Sequence, residues 1–295
     1  MTELIQQTVD GLGRGSEYAL IALGIAVIFG VMHLVNFAHG ELITVSAYVA
    51  YFLFTLELAW WVYAPVIVGT AVATSIAIEF VAFRWVRGAP DFTMLLTSFG
   101  VHFVVAALFV MFVSANVRNF DRPDWITNTI SVGGINLEVF DLVTIAVTAI
   151  TLLATVYLLQ RTMFGISLRA AAEDFDTARL MGIRSNRVIR GAFVLAGVLA
   201  GIAAVFVLMR TGRASPTAGL TPMLKGVLAA LIGGLGSMGG AVLGGFALGL
   251  VEVLLLARLP DGWVGLTNGI VFLGIALLFT FRPQGLISVG HAERV

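Results

Sequence analysis

The sequence predicts an all-α polytopic membrane protein with about eight or nine transmembrane helices, and two observations lead to this prediction. Of the 295 residues, 59% are hydrophobic and only 12% are charged. The mean hydropathy of +1.00 is higher than a water-soluble domain of this size could hide from solvent. The apolar residues also form long runs, and because membrane β-strands are short and alternate in polarity, these runs are expected to be helices.

Eight apolar runs reach or approach the roughly 20 residues that a helix needs to cross a bilayer core. They cover residues 17–35, 42–59, 62–83, 93–115, 140–160, 191–209, 226–257 and 263–281. The run 226–257 is too long for one crossing and is interrupted by GGLGSMGG at 233–240. We therefore expect a short helix, a non-helical turn and a second helix there, which makes eight full spans, or nine with the half-length helix.

Composition excludes several kinds of chemistry. Seventeen basic residues balance seventeen acidic ones, so no net charge attracts nucleic acid, and cysteine is absent, which excludes disulfides and thiolate chemistry. The single lysine, Lys225, lies in TPMLKGV, outside the frame of a phosphate-binding loop, so the chain is not expected to hydrolyse ATP. Glu3 and Asp10 precede the first cation, Arg14, and no removable signal peptide is expected.

The distribution of arginine predicts the orientation, because short loops rich in Lys and Arg stay in the cytoplasm. The segment 161–190 contains Arg161, Arg169, Arg179, Arg184, Arg187 and Arg190. The loop 84–92 has Arg84 and Arg87 and lies two spans earlier, so it is expected on the same side. The loop 116–139 is then external, the amino terminus external and the carboxyl terminus cytoplasmic.

Polar or glycine-rich residues interrupt the apolar pattern once in each half of the chain, at 36–41 (NFAHGE) and at 233–240. Paired interruptions of this kind indicate discontinuous helices at a repeat interface, where exposed backbone groups can meet a polar solute. The alternative is ordinary interhelical packing, since pairs such as Gly236/Gly240 and Gly240/Gly244 fit the small-xxx-small pattern. No linker divides the chain, so 1–295 is interpreted as one transmembrane domain.

These interruptions supply the residues predicted for a gate or translocation path. In the first half they are Asn36, His39, Gly40 and Glu41, joined by Ser98 and His102, which lie one helical turn apart; in the second half they are Gly233, Gly234, Gly236 and Gly240. Gly40 is expected to have unusual backbone dihedral angles and to lie beside the turn 233–240. A purely structural role, in which the polar groups cap broken helix ends, remains the alternative. No metal site is expected, because the histidine spacing matches no HExxH frame.

The cytoplasmic segment 161–190 contains a predicted amphipathic helix with a narrow apolar stripe. The stripe consists of Ala171, Phe175, Ala178 and Gly182, and the acids Glu173 and Asp174 lie on other faces. Gly182 is a natural helix stop. Helices that lie on a bilayer prefer bulky apolar faces with basic flanks, so docking into another protein is favoured over lying on the membrane or solvating a loop.

The segment AAAEDFDTARLMGI at 170–183 resembles the cytoplasmic loop that ABC importer permeases dock into their ATPase subunits. It is similar to the version R-A-x-A-E-D-x-x-x-A-x-x-x-G-I of branched-chain amino acid permeases of the LivH type. The resemblance extends through NFAHGE at 36–41, ALIGGLGSMGGAVLGG at 230–245 and FRPQGLI at 281–287. It therefore covers almost the whole chain, which is thereby identified as a candidate permease domain.

The resemblance implies a permease subunit that moves branched-chain or other small amino acids into the cytoplasm by alternating access. It also implies a second homologous permease subunit, in a heterodimer, two ABC ATPase subunits that bind ATP and Mg²⁺, an extracytoplasmic solute-binding protein, and the many-span fold of such importers. The chain itself is expected to carry no cofactor and to lie in the bacterial inner membrane. A urea or short-amide permease is the nearest alternative, and a proton-coupled carrier or a channel is an alternative of another class.

Overall fold

The computed structural model describes residues 2–56, 60–132 and 135–281, and within these ranges the chain forms eleven α-helices. They are α1 (Thr2–Met32), α2 (Gly40–Thr55), α3 (Trp60–Val81), α4 (Asp91–Phe112), α5 (Val139–Arg161), α6 (Met163–Glu173), α7 (Phe175–Leu180), α8 (Ser185–Thr211), α9 (Leu220–Gly233), α10 (Met238–Leu256) and α11 (Thr267–Phe281). The predicted all-α polytopic architecture is confirmed.

Among the described residues, seven helical segments are long and apolar enough to cross a membrane, and they correspond to α1, α2, α3, α4, α5, α8 and α10. Two further apolar helices are shorter, Leu220–Gly233 and Gly262–Leu278. The sequence predicts eight full spans and one half-length helix. The difference lies at the end of the chain, where the run 263–281 is divided between a 3-10 helix, Asp261–Leu266, and the 15 residues of α11.

Helices α1 and α8 form the centre of the bundle, and α4 and α5 form its periphery. The apolar stretch of α1 is 83% buried and that of α8 is 78% buried, whereas that of α4 is 11% buried. A helix that is apolar on all sides can be buried in protein or exposed to lipid. Hydropathy alone therefore does not separate the central helices from the peripheral ones.

Helix α1 begins at Thr2 and not near residue 17, where its apolar run begins. The reason is packing against α10. A Cβ atom placed on Gly15 would lie 2.8 Å from the Cα atom of Phe246, and one placed on Gly11 would lie 3.0 Å from the Cα atom of Leu250. Because small residues allow two helices to approach closely, the glycines of residues 11–15 extend α1 beyond its apolar run.

The run 226–257 folds as a helical hairpin, as its glycine-rich interruption predicts. Helix α9 has 14 residues, or about 21 Å at 1.5 Å per residue, and is too short to cross the bilayer core. The chain turns at Gly234, which has a φ of 90°, and α10 returns alongside α9. A backbone conformation with positive φ is accessible to glycine at little cost.

Two small antiparallel sheets lie in the connections between helices. Strand β1 (Arg118–Asn119) pairs with β4 (Arg213–Ala214), and β2 (Thr129–Val132) pairs with β3 (Ile135–Glu138). The first pair joins the loop after α4 to the loop after α8. It therefore places the ends of these two helices at the same end of the bundle.

Candidate functional site

The first predicted interruption is a true break between α1 and α2. Helix α1 ends at Met32, and His33 has a φ of 53°, which is rare for a residue with a side chain. The Oδ1 atom of Asn36 accepts a hydrogen bond of 3.0 Å from the backbone N–H of Ala38 and so caps the short 3-10 helix Phe37–His39. Capping by Asn36 is the structural alternative given above, and the break runs from His33 to His39, so that it begins before the predicted range 36–41 and overlaps it.

Gly40 begins α2 with ordinary helical angles, φ −60° and ψ −29°. The expectation of unusual dihedral angles at this residue is therefore wrong. Gly40 is instead confined by its neighbours, since a Cβ atom there would lie 2.9 Å from the carbonyl oxygen of Gly219 and 3.1 Å from the Cβ atom of Met223. The backbone N–H of Gly219 also donates a 3.1 Å hydrogen bond to the Oγ1 atom of Thr44. The first break thus packs against the beginning of α9.

His39 is buried in the bundle, with 1% of its surface exposed. Its two ring nitrogens have no hydrogen-bond partner within the described part of the chain. The ring packs beside Gly24 of α1, where a Cβ atom would lie 3.1 Å from two ring atoms and 3.4 Å from the carbonyl oxygen of Ala196 in α8. The side chain of His39 therefore fills space between α1 and α8, and Gly24 is confined as well, though less closely than Gly40.

Glu41 and His102 form a buried pair between α2 and α4. The Nδ1 atom of His102 lies 2.5 Å from the Oε1 atom of Glu41, and the two residues are 5% and 0% exposed, respectively. Ser98 is also buried, but its hydroxyl donates to the carbonyl oxygen of Leu95, one turn earlier in its own helix. Met94, Ser98 and His102 form a buried stripe along α4, which is otherwise largely exposed. The structure therefore joins His102 to Glu41, whereas Ser98 only shares the buried face of α4 with His102.

The four second-half glycines form the turn between α9 and α10. Gly233 and Gly240 face each other so closely that a Cβ atom on either would overlap the backbone of the other. The hydroxyl of Ser237 accepts a 3.0 Å hydrogen bond from the backbone N–H of Gly240 and caps α10. Gly234 supplies the positive φ, whereas no described atom lies within 4 Å of a Cβ atom placed on Gly236.

The turn 233–240 is not the partner of the first break. Gly40 meets residues 219 and 223, at the other end of α9, and 14 residues of helix separate the two ends. The expectation that the two predicted interruptions lie side by side is therefore wrong. The non-helical backbone that ends at Gly219, directly before α9, is a further break in the second half of the chain. The sequence analysis did not predict it.

The amphipathic segment forms two helices and not one. Helix α6 ends at Glu173, Asp174 has extended angles (φ −152°, ψ 107°), and its carboxylate caps α7 by accepting bonds from the N–H and the hydroxyl of Thr177. The predicted single helix is therefore wrong, because an aspartate can satisfy the first amides of a new helix more readily than it continues the old one.

The predicted apolar stripe is divided between these two helices. Ala171 of α6 and Ala178 of α7 are both buried within the chain, at 3% and 5% exposure. Phe175 begins α7, and its side chain lies outside the described set. Gly182 has a φ of 85° and ends the helical turn as predicted. Leu180 and Met181 are the most exposed of the described large apolar residues in this segment, at 88% and 81% exposure, and Met163 and Ile166 of α6 are exposed too, at 77% and 48%.

The clusters of buried charged residues were not predicted, and the first joins α9, α10 and α1. The Nζ atom of Lys225 in α9 lies 2.8 Å from both carboxylate oxygens of Glu252 in α10 and 3.1 Å from the hydroxyl of Tyr18 in α1. The hydroxyl of Tyr18 donates to Glu252 as well, at 2.8 Å. The available signal was a lone lysine and a lone glutamate in adjacent apolar helices, since such charges must be paired within a membrane.

The second cluster surrounds Arg210, near the end of α8. Its guanidinium donates to Glu17 of α1 and to Asp141 of α5, each at 2.7 Å. Its Cζ atom lies 5.0 Å from the ring centroid of Phe140. Glu17 and Asp141 are far apart in sequence, and nothing in their spacing predicts that they share one arginine.

The class of the protein follows from three features. They are discontinuous helices, buried charge pairs between apolar helices, and an exposed apolar tip on a loop between two spans. These features are typical of a transport permease, in which irregular backbone is buried in protein or lines a cavity. Comparison with known proteins identifies the family. Residues 7–281 match the family described as "Branched-chain amino acid transport system / permease component", and the chain belongs to that family.

Two curated relatives cover nearly the full chain, and a third covers less than half of it. The permease protein BraD of the high-affinity branched-chain amino acid transport system of Pseudomonas aeruginosa is 30% identical over 99% of this chain and 98% of its own length. The corresponding protein LivH of Escherichia coli is 28% identical over 99% of this chain and 97% of its own. The autoinducer 2 import permease LsrC of Yersinia pestis is 33% identical over 46% of this chain and 40% of its own. No solved structure matches the chain. The chain is thus a transport subunit and a multi-pass protein of the bacterial inner membrane.

Proposed function

We propose that the chain is the membrane-spanning subunit of an ATP-driven ABC importer for branched-chain or other small amino acids. Its family and its relatives BraD and LivH, both named as branched-chain amino acid permeases, support this substrate class. Residues 1–295 act as a single permease domain, and transport proceeds by alternating access, in which the two faces of the membrane open in turn.

The complete importer contains a second, homologous permease subunit in a heterodimer, two ABC ATPase subunits and an extracytoplasmic solute-binding protein. ATP and Mg²⁺ bind to the ATPase subunits, and this chain holds no cofactor. The placement of its lone lysine supports this division, because Lys225 is engaged with Glu252 and Tyr18 between helices and is not in a phosphate-binding loop.

The exposed tip formed by Leu180 and Met181 carries the proposal that an ATPase subunit docks at residues 161–190. Both side chains are more than four-fifths exposed, and Gly182 turns the backbone directly after them. Neighbouring Arg179 and Arg184 are exposed too, so the tip does not enter the hydrocarbon core of the bilayer. The docking surface of the segment is thus its tip, and the buried Ala171 and Ala178 hold α6 and α7 against the bundle.

The gate is proposed at the contact between the two breaks, where Gly40 and Thr44 meet Gly219. Broken helices change their relative orientation with less loss of hydrogen bonding than continuous ones, because their end groups are already bonded locally. His39 and the pair Glu41–His102 pack around this contact and hold α2 against α1, α8 and α4.

The proposed function is tested with the complete importer reconstituted in vesicles, with leucine bound to the solute-binding protein. ATP-dependent leucine uptake is expected, and Leu180→Asp or Met181→Asp should reduce both ATPase retention and uptake about tenfold or more, since a buried interface anchor is worth 2 kcal/mol or more. Val117→Asp is the matched control, because Val117 is also an exposed apolar residue but lies in the loop after α4, away from the tip.

Three results would contradict parts of this proposal. Normal ATPase retention in both tip variants would exclude the tip as the docking surface. Uptake by the permease alone, without ATPase subunits, would indicate a proton-coupled carrier or a channel, and uptake of urea or short amides with no uptake of leucine would move the substrate to the alternative within the family.

A further inference from the structure

Glu79 is a fully buried carboxylate near the end of α3 that contacts two arginines from different segments. Its Oε1 atom pairs with the Nη2 atom of Arg87, and its Oε2 atom lies 3.7 Å from the Nε atom of Arg190. Its exposed fraction is 0%. A buried carboxylate is tolerated where opposite charges compensate it, so the two arginines account for its presence at this position.

The two arginines connect Glu79 to the segment that carries the proposed docking tip. Arg87 lies in the turn after α3, and its Nη1 atom donates a 2.5 Å hydrogen bond to the Oδ1 atom of Asn186. Asn186 and Arg190 are one turn apart at the beginning of α8, which starts three residues after Gly182. The contacts therefore join the turn after α3 to the residues that directly follow α7.

Without Glu79, the two connected segments would repel each other. Both are basic, with Arg84 and Arg87 in the turn after α3 and Arg187 and Arg190 at the beginning of α8. Desolvation by burial, and the neighbouring charge of Arg190, lower the pKa of the Arg87 guanidinium from its usual value. Arginine remains charged in proteins, so the repulsion persists at neutral pH and Glu79 is the negative charge between the two.

Helices α3 and α8 are already interlocked without this cluster. The hydroxyl of Ser75 donates a 2.7 Å hydrogen bond to the carbonyl oxygen of Phe193. A Cβ atom on Gly197 would lie 3.0 Å from the Cα atom of Val72, and one on Gly201 would lie 2.8 Å from the Cα atom of Val68. Holding α3 against α8 therefore does not require Glu79, whose contacts act at the end of the pair nearest α7.

We propose that Glu79 is a positioning residue for energy coupling: it fixes the beginning of α8 to α3, so that a displacement of α7 moves both helices together. The inference rests on the proposed function, because it assumes that an ATPase subunit acts on α7. Loss of the carboxylate leaves Arg87 and Arg190 in repulsion and lets the beginning of α8 move independently of α3. ATP hydrolysis then continues while less solute is carried per ATP.

The test is Glu79→Gln in the complete importer in vesicles, with ATP hydrolysis and leucine uptake measured in the same preparation. The ratio of ATP hydrolysed to leucine imported is expected to rise about tenfold, within the range of typical coupling effects, while ATPase subunits stay bound. Glu79→Asp keeps the charge and should keep the ratio near that of the unmodified chain. Asp141→Asn is the matched control, because it removes a buried carboxylate paired with Arg210 in a different cluster; it should lower the amount of complex and leave the ratio unchanged.

An unchanged ratio in assembled Glu79→Gln complexes would overturn the inference and leave Glu79 with a structural role. If that variant does not assemble, the exposed Asn186→Ala variant decides, since it removes the bond to Arg87 and should raise the ratio in the same direction. An unchanged ratio there would also overturn the inference. Absence of ATP-dependent uptake with the unmodified chain would instead contradict the proposed function, and the coupling role with it.

Discussion

At the scale of single residues, close backbone contact determines which glycines the fold requires. Gly30 and Gly40 lie on either side of the first break, but their surroundings differ. A Cβ atom on Gly40 would press on the backbone of Gly219, whereas no described atom lies within 4 Å of a Cβ atom on Gly30. Both residues have helical backbone, so the difference between them is one of space and not of dihedral strain.

Replacing Gly40 with alanine is therefore expected to destabilise the permease by about 1–3 kcal/mol, the usual cost of overpacking. Gly30→Ala should be neutral or stabilising by up to about 1 kcal/mol, because alanine restricts the unfolded chain. Thermal unfolding of the purified complex and uptake per assembled complex provide the measurements. Equal unfolding temperatures for the two variants would contradict this prediction. They would show that the backbone around Gly219 moves to accept a Cβ atom at residue 40 with no loss of stability.

The sequence predicted the positions of these features better than their causes. The polar cluster at 36–41 correctly located a break, because Asn, His and Glu are costly in an apolar run unless a helix end or a partner satisfies them. It could not show that His33 carries the unusual φ, or that Gly40 is confined by Gly219. The confinement of Gly40 depends on a contact between segments about 180 residues apart.

At the scale of elements, the α9–α10 hairpin depends on a buried charge pair as well as on its glycine turn. Helix α9 is too short to span the membrane and is enclosed by α1 and α10, with Gly226 packed on Ile21. Lys225 and Glu252 face each other across the hairpin, both less than a tenth exposed. Removing one charge of such a pair is costly because the other is left buried, whereas replacing both with apolar residues is often tolerated.

Lys225→Met is accordingly expected to cost about 3 kcal/mol of stability, in the range for breaking a buried pair. The double variant Lys225→Met with Glu252→Leu should recover part of this loss. Unfolding temperature and the amount of assembled complex would be compared for both variants. A double variant less stable than Lys225→Met alone would mean that Glu252 is stabilised mainly by Tyr18 and Arg14, its other partners.

At the scale of the whole molecule, contacts between distant segments divide the connections into two groups at opposite ends of the bundle. The turn after α3 and the beginning of α8 are joined by Arg87 and Asn186. The end of α8 is joined to the beginning of α5 by Arg210 and Asp141, and to the loop after α4 by β1 and β4. The arginine count predicts that the first group is cytoplasmic, since it includes the segment 161–190. The structure places the two basic segments at the same end of the bundle.

The orientation itself is open to a direct test, because the chain contains no cysteine. Asn128 and Arg187 are both exposed and belong to opposite groups. In intact cells, an impermeant maleimide should label Asn128→Cys and should label Arg187→Cys only after the membrane is made permeable. This expectation rests on the arginine count, six between 161 and 190 against two between 116 and 139, since basic loops are retained in the cytoplasm.

Labelling of Arg187→Cys alone in intact cells would invert the orientation and place the Leu180–Met181 tip outside, beyond the reach of an ATPase. Labelling of both would instead contradict the grouping of the loops, because the loop that contains Asn128 is joined by β1 and β4 to the end of α8, whereas Arg187 lies at the beginning of α8.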